Sequence, residues 1–140
     1  MIKISKINGR TQLDSAADEF VFEFVVERLK IGERFNLSKT QQLLLLKHSV
    51  PAWNRYRNFN TGTAIDLREC DLSGLDLWGA NLAHADVSGA TFNASILIGA
   101  DFKFSKISGA NFSFADVFQA DFTGVNLHDG RGLSERLKQC

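Results

Sequence analysis

The side chains able to do chemistry are few and poorly spaced for it. His48, His84 and His128 fall in separate stretches, Cys70 stands alone and Cys140 is the last residue. A zinc site needs ligands clustered along the chain, and a thiol or hydroxyl nucleophile needs a histidine beside it. Neither arrangement is present in this sequence. Carboxylates are more suggestive: Asp66, Asp71, Asp76, Asp86, Asp101, Asp116 and Asp121 recur at multiples of five. Acid–base work requires two such groups to converge in a pocket, whereas this spacing lines them along a surface. The glycines Gly74, Gly79, Gly89, Gly99, Gly109 and Gly124 keep the same beat and form no phosphate-cradling loop after a strand. The reading is therefore of a non-enzyme without catalytic, metal-binding or cofactor-binding residues, and with no cofactor.

What positions these side chains is a period of five. From Ile65 to Asp129 the chain reads IDLRE, CDLSG, LDLWG, ANLAH, ADVSG, ATFNA, SILIG, ADFKF, SKISG, ANFSF, ADVFQ, ADFTG, VNLHD. The third position holds Leu67, Leu72, Leu77, Leu82, Val87, Phe92, Leu97, Phe102, Ile107, Phe112, Val117, Phe122 and Leu127, all large and apolar. The first is mostly Ala. A period of five fits neither the 3.6 of a helix nor the alternation of a strand. It demands a short extended side and a corner in every repeat, and a fixed short period is the mark of a solenoid.

This segment resembles the pentapeptide-repeat family, whose pattern is A(D/N)Lxx. The resemblance implies a β solenoid: a right-handed quadrilateral β-helix with four repeats per twenty-residue coil, hence about three coils here, roughly 16 Å long at a strand spacing of about 4.8 Å. A stack that short needs covers at its ends. The expected organisation is a mostly helical N-terminal capping region over 1–60, the β-helix over 61–129 and a C-terminal capping helix over 130–140.

The flanks carry their own signals. IKISKI before Asn8-Gly9 reads as a short strand and turn. From Asp14 the polar residues Ser15, Glu19, Glu23, Glu27 and Lys30 recur at helical spacing, opposite Leu13, Ala17, Phe20, Val21, Phe24 and Val25, although Phe20, Phe22 and Phe24 also alternate like a strand. Ser38-Lys-Thr-Gln41 is a capping box that starts a helix at Lys39, and Pro51 suits the first turn of another helix or a kink. LLLKHSVPAWNRYRNFN resembles a leader, roughly LLKxGVxAWNxWR, seen ahead of such repeats, with Ser49 in place of the usual Gly and Pro51 at a variable position. It implies that Trp53 and Tyr56 cap the solenoid. Asp129-Gly-Arg-Gly132 reads as a turn, and Leu133 and Leu137, four apart, as the apolar side of a terminal lid.

Residues twenty apart should stack in columns, so the surface can be read in advance. Three of four faces are polar. The third, LDLWG, SILIG and ADVFQ, shows Trp78, Ile98 and Phe118 outward, with Ile96 between Asp76 and Asp116. A monomer seldom leaves such a patch wet. Either the helix over Leu13 to Ile31 covers it, or a second copy or another protein does. Phe104 and Phe114, at corners where small residues are usual, belong to the same docking area or make a second contact.

Composition points to a soluble, cytoplasmic protein: 16 basic residues balance 16 acidic ones, and neither a signal peptide nor an 18-residue apolar run is apparent. Charge is nonetheless divided. Residues 1–60 hold ten Lys or Arg against six acids, the repeats nine acids against three bases. Nine carboxylates along roughly 16 Å approach the density of phosphates on duplex DNA. This likens the segment to gyrase-protecting members of the family, which present an acidic surface resembling DNA. Against that, Asp is the family's ordinary second residue. The expected function is protein binding or scaffolding, with an unknown protein partner or a homodimer, and with no direct nucleic acid binding and no membrane. Mimicry of DNA toward a DNA-handling enzyme such as gyrase is the alternative.

Overall fold

The computed structural model describes residues 6–7, 10–11, 16–32 and 35–137, with side chains from residue 22 onward. The Asn8-Gly9 turn, the Leu13, Phe20 and Val21 side chains and Cys140 lie outside the described residues. The chain divides into two compact units, Met1–Thr63 and Ala64–Cys140.

In the first unit β1 (Lys6–Ile7) pairs antiparallel with β2 (Arg10–Thr11). Three helices follow: α1 (Ala16–Lys30), α2 (Lys39–His48) and α3 (Val50–Phe59). The helical period of α1 prevails over the alternation of its phenylalanines, because Val25 and Leu29, four apart, are buried. Phe24, expected on the buried side, is instead half exposed, with the Arg28 guanidinium 4.9 Å above its ring. The capping box at Ser38 forms both bonds: its hydroxyl accepts the Gln41 N–H at 3.2 Å and the Gln41 side chain accepts the Ser38 N–H at 2.9 Å. Ser49 explains how a chain with Pro51 continues. Its extended backbone ends α2, and its hydroxyl accepts the Ala52 N–H at 3.1 Å to start α3, whose first turn needs no N–H from proline.

Trp53 and Tyr56 are wholly buried, their rings 6.0 Å apart. The Tyr56 hydroxyl accepts the Leu37 N–H at 3.2 Å, and the Asn60 side chain accepts the Phe35 N–H at 2.6 Å. These two bonds tie segment 35–37 to α3 and to the residue that caps it. Burial pushes the Tyr56 phenol above its usual range despite the Leu37 bond.

The second unit is the solenoid. Parallel bridges link residues twenty apart in four columns: 66, 86 and 106; 71, 91, 111 and 131; 76, 96 and 116; 81, 101 and 121. Each extended side is so short that it contributes one bridge rather than a strand. The Leu67 N–H donates to Asp86 O at 2.9 Å and the Asp86 N–H returns to Ile65 O at 2.9 Å, a pattern repeated along the unit. Corners close with bonds such as Ala80 N–H to Leu77 O, 3.0 Å.

The fifth residue of every repeat from Glu69 to Gly124 has positive φ. That is the third residue of a turn of the type II kind, which explains why six of these positions are Gly. Glu69, His84, Ala94, Phe104, Phe114 and Gln119 hold the same conformation against their steric preference.

Inward residues behave as their period requires. First and third positions from Ile65 to Val117 are buried, and the phenylalanines interlock. Phe92 stacks on Phe112 and Phe102 on Phe122, both at 4.9 Å, while Phe102 meets Phe92 and Phe112 edge-on at 5.6 and 5.7 Å. The thirteenth repeat departs from the rule. Leu127–Asp129 turns as a 3-10 helix and Leu127 is only half buried. The stretch expected as a plain turn over 129–132 rejoins the ladder, because the Phe112 N–H donates to Arg131 O and the Arg131 N–H to Ala110 O, at 2.8 and 2.7 Å. The small Gly130 makes this possible: a Cβ there would press on Ile107 and Phe112. Helix α4 (Leu133–Leu137) follows, with Leu133 fully buried and Leu137 half buried.

Candidate functional site

The outward surface of the solenoid is built by its second, fourth and fifth positions. Second-position oxygens do structural work. Asp66, Asp71, Asp76, Asn81, Asp86, Thr91, Asp101, Asn111, Asp116, Asp121 and Asn126 each accept the backbone N–H two residues on, at 2.9 to 3.3 Å. This is the Asx-turn bond, and it accounts for the Asp-or-Asn rule without any role for net charge. Two carboxylates are also paired: Asp66 holds Arg68 through two bonds of 2.9 Å, and Asp101 lies 3.6 Å from Lys103. Partial burial opposes ionisation of Asp86, but bonds from the Ser88 hydroxyl and N–H and the charges of Lys106 and Arg68 outweigh it, leaving its carboxyl below the usual range. Asp121 is lowered by the Thr123 hydroxyl and N–H.

Ile96 and Lys106 alone lack such an oxygen among the second positions from 66 to 126. Ile96 sits between Asp76 and Asp116 in their ladder and is 38 % exposed. Beside it, Gly79 N–H to Ile98 O and Gly99 N–H to Phe118 O, both 2.9 Å, hold Trp78, Ile98 and Phe118 in one vertical column. Trp78 is 63 % and Phe118 50 % exposed, and Ile98 is partly exposed.

Phe104 and Phe114 belong to other columns. Phe104 stacks on His84 at 5.3 Å and lies over Gly124, where any Cβ would strike its ring. Phe114 is the most exposed large apolar side chain of the unit, and the Arg136 guanidinium of α4 stands 5.2 Å above it. The structure thus gathers Trp78, Ile96, Ile98 and Phe118, and gives Phe104 and Phe114 separate surroundings.

The groups with chemical potential stay apart. Cys70 is buried at an inward position, and the His48 ring packs 3.9 Å from that of Phe22. Among the described residues no cluster of His, Cys, Asp and Glu could hold a metal ion, and no helix is long and apolar enough to cross a membrane.

Comparison with known proteins picks out the repeat segment. The family described as pentapeptide repeats matches residues 63–97 and 88–124, in eight copies, so this segment is a pentapeptide-repeat array. Among solved structures it is similar to HetL, a pentapeptide repeat protein involved in heterocyst differentiation regulation from the cyanobacterium Nostoc sp. strain PCC 7120. Identity is 27 % and the TM-score 0.32, over 47 % of this chain and 38 % of that one. It is also similar to QnrB1, a plasmid-mediated fluoroquinolone resistance protein, at 20 % identity and TM-score 0.28, over 47 % and 44 %. A pentapeptide repeat protein of the Arabidopsis thaliana thylakoid lumen gives 25 % and 0.19, over 54 % and 60 %. The chain thus spans less than two thirds of each of these proteins. No curated protein matches it.

Proposed function

We propose that this chain is a non-enzymatic protein-binding or scaffold module of the cytoplasm, and that its working surface is the face of Trp78, Ile96, Ile98 and Phe118. One observation carries the reading: three large apolar side chains stand in vertical register, with a fourth where an Asx oxygen belongs. Replacing Asp or Asn by Ile at position 96 removes an acceptor that the corner uses elsewhere and adds exposed apolar surface, a change that folding does not ask for. In this reading the solenoid is right-handed and square, and Leu133 with Leu137 closes its C-terminal end. Affinity capture from the native host tests it: wild-type protein should retain a partner that the Phe118→Asp variant, equally folded, does not. Equal recovery by both would refute the assignment of the surface.

Mimicry of DNA toward a DNA-handling enzyme is the second reading, favoured by nine acids against three bases in the repeats. The Asx bonds weaken it, since they explain the aspartates by the fold alone. A gyrase supercoiling assay separates the two: protection or inhibition at stoichiometric protein would put mimicry first.

A further inference from the structure

Trp78, Ile98 and Phe118 follow one another at one coil per step, about 4.8 Å, so the column is about 10 Å long. An α-helix laid along it returns to the same face at i+3 or i+4, every 4.5 to 6 Å, and at i+7 after about 10.5 Å. A β-strand returns its side chains to one face only about every 6.6 Å, which falls out of step with the column.

Charge narrows the occupant further. Asp76 and Asp116 flank Ile96, and the three repeats of this face, 75–79, 95–99 and 115–119, contain no Lys or Arg. A second copy docked face to face would meet this charge badly. Antiparallel about a two-fold axis, Asp76 would oppose the Asp116 of the other copy; parallel, both carboxylates would be pressed against its apolar column.

We propose that this face binds an amphipathic, basic α-helix of another protein, with apolar side chains at i, i+3 or i+4 and i+7 on Trp78, Ile98 and Phe118, and Lys or Arg toward Asp76 and Asp116. This rests on the protein-binding reading above and names the chemistry of its partner. Contact is the helix-in-groove kind, with the apolar column as anchor and the carboxylates setting partner choice.

The test is titration with a designed eighteen-residue Leu/Lys/Ala amphipathic helix, an isosequential peptide with Glu for Lys, and a scrambled peptide of equal composition. Peptide anisotropy reports binding, and the emission of exposed Trp78 reports its location, since Trp53 is wholly buried. The basic helix should bind saturably, shift the Trp78 emission to the blue and lose binding on Phe118→Asp. The double variant Asp76→Asn, Asp116→Asn keeps the oxygens that accept the Trp78 and Phe118 N–H groups, so it should fold normally and bind about five-fold more weakly at low salt. Binding of the acidic or scrambled peptide as tightly as the basic one overturns the proposal, as does an unweakened Asn variant or no binding at all. A wild-type dimer that dissociates on Phe118→Asp, seen by light scattering, also overturns it and makes the occupant a second copy, leaving the module reading intact. Should the basic peptide fail while capture from the host still depends on Phe118, the partner chemistry is wrong and the reading stands; should capture ignore Phe118, both fall.

Discussion

Replacing Phe102 by Ala probes the interior most sharply. The ring has no solvent exposure, lies 4.9 Å above Phe122 and meets Phe92 and Phe112 edge-on. Truncation of a buried Phe costs about 3 to 5 kcal/mol, depending on how far the surroundings collapse into the space. Collapse is restricted here, because the backbone on that side is laddered above and below: Asp101 N–H to Ala80 O at 2.9 Å and Phe102 N–H to Asp121 O at 2.8 Å. The upper part of the range, about 4 kcal/mol, is therefore expected. If the Ala64–Cys140 unit melts as one, that is a fall in Tm of about 15 to 30 °C. Guanidinium denaturation and calorimetry of Phe102→Ala, with Phe118→Ala as a surface control, measure it. A loss below about 1 kcal/mol, or a larger one for the control, would refute the interlocked core.

Three further outcomes follow from corners, interior and charge. Ala94 sits at φ 59°, so Ala94→Gly should raise stability by up to about 1 kcal/mol, whereas Gly124→Ala should lower it because its Cβ meets the Phe104 ring; thermal melts of the pair decide. The Ser105 hydroxyl is buried with no hydrogen-bond partner, while that of Ser95 reaches Phe92 O at 2.8 Å, so Ser105→Ala should stabilise by about 1 kcal/mol and Ser95→Ala should not. Asp86 and Asp121 have lowered folded-state pKa values, so their contribution is present above the ordinary carboxylate pKa, about 4, and is lost as pH falls through the lower folded values. Tm should fall from pH 5 to pH 3, and less steeply in the double variant Asp86→Asn, Asp121→Asn.

Most of the solenoid is legible because one period controls the inward positions: eleven of the thirteen third-position residues, from Leu67 to Val117, are buried where that period puts them. The capping box at Ser38 was equally local, needing only residues three apart. What escaped depended on particular side-chain contacts, some of them distant in sequence. Phe24 falls on an apolar stripe by spacing, yet Arg28 at the next turn covers its ring in the open. Tyr56 and Asn60 serve backbone groups at Leu37 and Phe35, twenty-odd residues away, which no spacing announces. Ser49 beside Pro51 is a local helix-start signal, although the leader that this stretch resembles has Gly at that place. The end of the array is hidden in the sequence because VNLHD keeps the letters of a repeat while Leu127–Asp129 turns as a 3-10 helix, and the ladder resumes at Arg131, outside the pattern. The apolar column followed from the period. Its occupant did not, because that depends on chemistry carried by another molecule.

The decisive question is which column of the solenoid meets another protein. A photo-reactive phenylalanine analogue placed at Ile98, and in parallel at Asn93 on a polar face, answers this in the host cell. A discrete crosslinked adduct is expected from position 98, lost when Phe118→Asp is added, and none from position 93. Adducts from position 93 with none from position 98 would contradict that expectation.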